Sequence, residues 1–220
     1  ATEHSPAIQQ VLRDLKAANA QTAEPLVLYC LRRAQSEAIP ELELVASLKL
    51  IESLLVRRMI AGIKTQMLNP MFGSLCFKLN QPRTSDNPFG QGADMVDDIT
   101  RLLNAPEAEW PGDDKLLAGI QTADFYHALK AEQRMHVLTN LDRAANQSGV
   151  EVAYDLSDKT IEHIVPQSFP DSWANQFSQE HRDSVAERMD SLSNLTLLQL
   201  PENAGAGNNT WADKRELYLG

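Results

Sequence analysis

The stretch "TIEHIVPQSF", Thr160 to Phe169, decides how the C-terminal part of this chain is read. Its Thr, Ile, Ile and Val favour an extended strand. Glu162 and His163 place two ionisable groups in the middle of that strand, and Pro166 follows three residues on. A proline disrupts a ladder, so the strand ends near it. Adjacent residues on a regular strand face opposite sides. For Glu162 and His163 to share a site, the strand must bend or stop there. The stretch is either an edge strand running into a turn or a strand that delivers two polar side chains to a site.

Three asparagines downstream bear on that choice: Asn194 before "LTLL", then Asn203 and Asn208 within "NAGAGNNT". Singly, each reads as a turn former or a helix cap. In order, they make a different pattern: a strand with an acidic-His pair, a strand with Asn, then a Gly-rich loop with Asn leading into a helix. That is a ββα layout able to clamp one divalent ion. Phosphodiester hydrolysis needs a deprotonated water, and a neutral imidazole can take its proton. It also needs a cation against the phosphate charge. A hard ion such as Mg²⁺ takes oxygen donors, which Glu162 and an Asn carbonyl supply.

The rest of the chain reads as helices. Amphipathic spacing predicts helices over 6–20, 25–35 and 40–62, with Leu44, Leu48, Ile51 and Leu55 as the stripe of the third. Arg57, Arg58 and Lys64 gather near its end. They complement the helix C-terminus or form a phosphate-facing, DNA-backbone patch. The apolar segment 67–79 follows. "NQPRTSDNPFGQGAD" then mixes three kinds of breaker and predicts a loop or hinge near 81–93. Helices are expected at 94–104 and 131–147, and Asp113 and Asp114 can start another. His127 and His136 lie in helical surroundings with no ligand spacing and read as structural. The character changes after Gly149, where "VEVAYDL" joins "KTIEHIV" as extended sequence. These features divide the chain into a helical domain, 1–150, and a small α+β core, 151–220, with a helical insertion at 171–190.

No run of about 18 apolar residues occurs in the 220, so no membrane span is expected. The two cysteines, Cys30 and Cys76, form no CxxC; they read as free thiols of a reducing compartment, which suits a cytoplasmic protein. The net charge of −10 is uneven. Residues 1–80 carry nine Lys/Arg against seven Asp/Glu, 81–150 six against eleven, and 151–220 five against twelve. The core thus stands at −7. That argues against strong nonspecific nucleic-acid binding by the core alone.

"EHIVPQS" resembles the first motif of HNH endonucleases, as found also in the HNH domain of CRISPR effector nucleases, and "LSNLTLL" resembles the second. The ordered set "TIEHIVPQS…W…LSNLTLL…N…NNTWADKR" is similar to the C-terminal HNH domain of GmrSD-type, type IV restriction enzymes. Related modules occur in phosphorothioation-dependent defence proteins such as SspE. "IESLLVRRMIAGIKTQMLNPMF", residues 51–72, is similar to the helical segment that precedes the core in that family. The resemblance implies a mainly α chain in which a helical domain precedes a ββα-metal nuclease core. It implies a Mg²⁺- or Mn²⁺-dependent, nicking DNA endonuclease of an anti-phage restriction system. His163 would be the general base, with Asn194 bracing the loop that orients it. Glu162 and Asn203 would ligate metal. Asn208 and Lys214 would contact metal or phosphate. DNA is the implied partner, together with an N-terminal NTP-binding sensor domain, which makes the chain read as a C-terminal fragment. Ser193 stands where the family more often has Gly, and Trp211 where it often has Phe; neither change removes a reacting group. The alternative is a catalytically weak HNH-like module that binds DNA or a partner domain without cleaving.

Overall fold

The computed structural model describes residues 4–37, 39–64, 68–81, 84–86, 89, 94–145 and 158–219. Helices come first: α1 (Pro6–Ala17), α2 (Glu24–Ser36), α3 (Glu41–Ile60), α4 (Leu68–Asn80), α5 (Met95–Leu103), α6 (Asp113–Thr122), α7 (Phe125–Ala128) and α8 (Ala131–Ala145). Then come β1 (Lys159–His163), α9 (Asp171–Ala174), α10 (Gln179–Glu187), β2 (Leu195–Gln199), α11 (Leu200–Ala206) and α12 (Trp211–Leu219). The chain is mainly α with a small two-stranded sheet, as its sequence pattern predicts. The expected strand at 150–156 lies outside the described residues. Of the breaker-rich run 81–93, residues 81, 84–86 and 89 are described, and none is in a helix or strand. No helix among the described residues is long and apolar enough to cross a membrane.

The chain forms two compact units, residues 1–59 with 63–116 and residues 60–62 with 117–220. The division falls near 116, whereas the sequence changes character only after Gly149. The reason is that α8 packs on β2 and so belongs with the strands, although its own sequence reads like the helices before it.

The first unit is an all-helical core. Its α1 starts where Ser5 caps the Ile8 amide and Pro6 takes the first turn. Leu48, Ile51 and Leu54 of α3, Phe72, Leu75 and Leu79 of α4, and Ile99 and Leu102 of α5 are buried together with Leu26 and Cys30 of α2. Burying each such large apolar side chain contributes roughly 1.5–3 kcal/mol. Arg33 of α2 reaches Asp98 of α5 at 3.2 Å, with the two side chains 3% and 2% exposed. Cys30 and Cys76 are free thiols, and burial pushes Cys30 up to about 12.

The second unit holds the sheet. β1 and β2 pair antiparallel, with Glu162 opposite Thr196 and His163 opposite Leu195. α11 packs on both strands, and α12 packs on α11. Leu195, Leu198, Trp173, Met189, Leu192 and Phe125 bury the interior. Gly119 is required by packing: a Cβ there would lie 2.2 Å from the Ile60 carbonyl oxygen. The run from Asn203 was expected as a Gly-rich loop, but residues 203–206 belong to the short helix α11. Gln199 and Glu202 cap its start reciprocally, Pro201 occupies the first turn, and Gly207 ends it at φ 38°. Those capping signals outweigh the loop-forming composition.

Candidate active site

β1 ends at His163, and the elements that follow hold that end from three directions. The first hold is Asn194, 9% exposed at the start of β2. Its Oδ1 accepts from the Val165 amide at 2.8 Å. Its Nδ2 donates to the Val165 carbonyl at 3.0 Å and to the Met189 carbonyl at 2.8 Å. The Asn194 carbonyl accepts from the Ile164 amide at 2.9 Å. An Asn can bond both edges of one residue because its amide carries donor and acceptor side by side. The segment after His163 is therefore clamped to the segment before β2.

The second hold is Lys214 of α12, fully buried at 0% exposure. Its Nζ donates to Glu162 Oε1 at 2.5 Å, to the His163 carbonyl at 2.9 Å and to the Ile164 carbonyl at 3.2 Å. These three bonds use every donor of the ammonium. None of its donors is therefore left for the phosphate contact expected of Lys214. Lys214 neutralises a buried carboxylate and satisfies the carbonyls that β1 leaves unpaired as it ends. The Tyr218 hydroxyl is buried without a hydrogen-bond partner, and burial, reinforced by the Glu162 charge, pushes it up to about 12.

The third hold is on the His163 ring. Nε2 lies 3.1 Å from Asp190 Oδ1, and the ring meets Tyr126 edge-on at 4.6 Å between centroids. Arg134 covers the Tyr126 ring at 4.1 Å. Tyr126 is carried by the four-residue α7, which Asp124 caps through the His127 amide at 3.0 Å. Burial lowers the His163 pKa, while Asp190, by hydrogen bond and charge, raises it; the net shift is downward. At neutral pH the imidazole is therefore uncharged and able to accept a proton.

The expected site residues thus sort by partner. Glu162 and His163 are both buried, but Glu162 goes to α12 while His163 goes to α7 and the turn before β2. Asn203 of α11 donates through Nδ2 to Thr160 Oγ1 at 2.6 Å and to the Ile161 carbonyl at 3.3 Å, which fixes it on the strand residues just before Glu162. Glu162 and Asn203 each retain an oxygen outside these bonds. A carboxylate oxygen on β1 and an amide oxygen on α11 are the donor types that a hard divalent ion takes, with water completing the shell. Asn208 is exposed and accepts from Ser168 Oγ at 3.0 Å, so it stands at the loop after β1. In the helical unit, Arg58 is 3% exposed and donates to the Ala108 and Lys64 carbonyls and to Glu109, which corrects the surface patch expected of it. Arg57 donates to the Pro111 carbonyl and pairs with Asp113. Lys64 alone of the three is exposed.

The sequence reading missed Asp190, Asp124 and His127. Their side-chain donors lie within 4.8 Å of one another and border His163. His127 Nδ1 is 3.2 Å from Asp124 and 3.5 Å from Asp190. Asp124 and His127 are joined locally, but only tertiary packing brings Asp190 to them, since α7 and residue 190 are far apart in the chain. The one local signal was Asp124 preceding an apolar turn, a capping position.

Residues 110–220 match the family model described as GmrSD restriction endonucleases, C-terminal domain. The match leaves out 51–72, the helical segment that the sequence resemblance had included. No curated protein and no solved structure matches the chain.

Proposed function

The chain belongs to the family of GmrSD restriction endonuclease C-terminal domains, and from that premise we propose that it is an HNH-type, metal-dependent DNA endonuclease module that nicks one strand per catalytic centre. The observation that carries this reading is the His163 imidazole held at the end of β1 by Asp190 and Tyr126, with burial lowering its pKa. We assign the chemistry to residues 151–220 and the roles to the residues expected from sequence.

His163 accepts a proton from the attacking water. The water oxygen then bonds to phosphorus as the bond from phosphorus to the leaving oxygen breaks, and solvent supplies that oxygen with its proton. Asn194 holds the backbone that carries the base. Glu162 and Asn203 would hold Mg²⁺ or Mn²⁺, which supplies charge neutralisation at the phosphate. The Lys214 contact on Glu162 favours the second reading, a weakly catalytic module that binds without cleaving, because that carboxylate is already neutralised.

Supercoiled plasmid with Mg²⁺ or Mn²⁺ separates the two. The expected product is relaxed plasmid, abolished by chelator and reduced by at least about 100-fold in His163→Ala. Equal relaxation by both proteins, or none by either, rejects the nuclease reading. The −7 core argues that a further domain, NTP-binding in the sensor role, brings the module to DNA in the cell. Tight binding of duplex DNA by this chain that persists from 50 to about 200 mM salt counts against that part.

A further inference from the structure

We infer that Asp190 is the positioning residue for His163: it holds the Nε2 proton and so leaves Nδ1 as the nitrogen with a lone pair for the attacking water. This rests on the nuclease reading for its function, though not for its geometry.

An ionised carboxylate only accepts hydrogen bonds, so a ring nitrogen 3.1 Å from Asp190 Oδ1 carries the hydrogen. With Nε2 protonated and the imidazole neutral, Nδ1 must be unprotonated. Asp190 is itself fixed. Gln167 Nε2 donates to the same Oδ1 at 2.7 Å, and the Asp190 carbonyl accepts from the Tyr126 amide at 2.9 Å. Its Oδ2 faces His127 Nδ1 at 3.5 Å. The carboxylate therefore cannot swing away without breaking contacts to two other elements.

The placement has a further logic. Asp190 and Asn194 lie on one short segment before β2, separated by a turn in which the Asn194 amide bonds the Ser191 carbonyl at 3.1 Å. Asn194 clamps the backbone after His163, and Asp190 clamps its ring. One segment thus sets both the position and the tautomer of the base. In serine hydrolases a carboxylate does the same for the catalytic imidazole, and its loss is costly because the wrong tautomer forms.

The test uses the whole 220-residue chain with Asp190→Asn, Asp190→Ala and Asp190→Glu beside the wild type. Nitrogen-15 NMR of the imidazoles above their pKa, with His163→Ala to assign the signal, reads the tautomer directly. Wild type is expected to show a single Nε2–H form for His163. Asp190→Asn, nearly isosteric and so least disruptive to folding, is expected to shift it toward Nδ1–H. In the plasmid assay Asp190→Ala and Asp190→Asn are expected to lower kcat roughly 10- to 100-fold with KM within about twofold, and Asp190→Glu to recover part of the loss. A wild-type Nδ1–H form, or a tautomer unchanged in Asp190→Asn, overturns the proposal. So does full kcat in Asp190→Ala. If wild type relaxes no plasmid, the nuclease reading fails by itself while the NMR arm still decides whether Asp190 holds the ring.

Discussion

Arg58 in the helical unit and Lys214 in the strand-bearing unit make an instructive pair. Both are cations expected at a phosphate, Arg58 from its cluster with Arg57 and Lys64, and Lys214 from the family resemblance, and both are buried, at 3% and 0% exposure. Each binds backbone carbonyls of irregular chain: Ala108 and Lys64 for Arg58, His163 and Ile164 for Lys214. A buried carbonyl without a partner is costly, so a cation that can reach one is held there as firmly as by a ligand. The difference lies in what the carbonyls belong to. Arg58 ties down connecting loops. Lys214 ties down His163, the proposed base, and it also neutralises Glu162. In the second unit, therefore, the device that stabilises the fold is the same one that shapes the site.

The largest expected effect comes from breaking the second device. Lys214→Ala leaves a buried carboxylate and two carbonyls unpaired, and should cost about 3–5 kcal/mol in urea unfolding. Removing both charges, as Glu162→Leu with Lys214→Met, should regain much of that stability, because well-packed apolar pairs often replace buried ion pairs without loss. Plasmid relaxation should stay lost in the double variant, since the proposed metal ligand is gone. A double variant that cleaves normally would show that the Glu162–Lys214 pair serves the fold alone, making it equivalent to Arg58.

Arg58→Met gives the smaller, contrasting effect. It strands the Ala108 and Lys64 carbonyls and should cost about 1–3 kcal/mol. Relaxation per folded molecule should be unchanged. A drop in specific activity at full folding would break the contrast from the other side.

The same pair shows what could be read without the structure. The helices at 6–17 and 41–60 follow from amphipathic stripes, with Pro6 in the first turn of one and Pro40 just before the other, and such signals are local. So does the strand at 159–163, whose β-branched residues and following proline mark its end. The helix at 200–206 was missed because its reciprocal cap, Gln199 with Glu202, was hidden among Gly and Asn that favour a loop. Burial of Arg58 and Lys214 was not legible at all. Whether a cation on a helix faces solvent or a stray carbonyl depends on a loop that arrives 50 residues away. The Glu162, His163, Asn194 and Asn203 set was legible as a pattern, because order along the chain survives where contacts do not. Asp190 was invisible, since nothing but folding brings it to His163.

The smallest effect is on pH dependence, and it too separates the units. Burial lowers the His163 pKa beneath its ordinary value of about 6.5, with Asp190 opposing part of the shift. The folded state then binds its proton at lower pH than the unfolded state does. Stability from this group is fully present above about 6.5 and is lost as pH falls from there through the folded pKa, below which the loss levels off. The proposed catalysis has the same sign, because the neutral ring is its proposed base. With metal saturated, activity should hold at its plateau at pH 7 and fall only below about 6.5. His163→Ala should remove the acid-side loss of stability from the strand-bearing unit and leave the helical unit unchanged, read by urea unfolding at pH 5 and 7.5. A wild-type activity profile whose midpoint lies above 6.5 would mean that Asp190 outweighs burial. The assignment of His163 as base would survive, since a base with a pKa near neutrality gives such a rising limb, and only the balance of burial against Asp190 would be overturned.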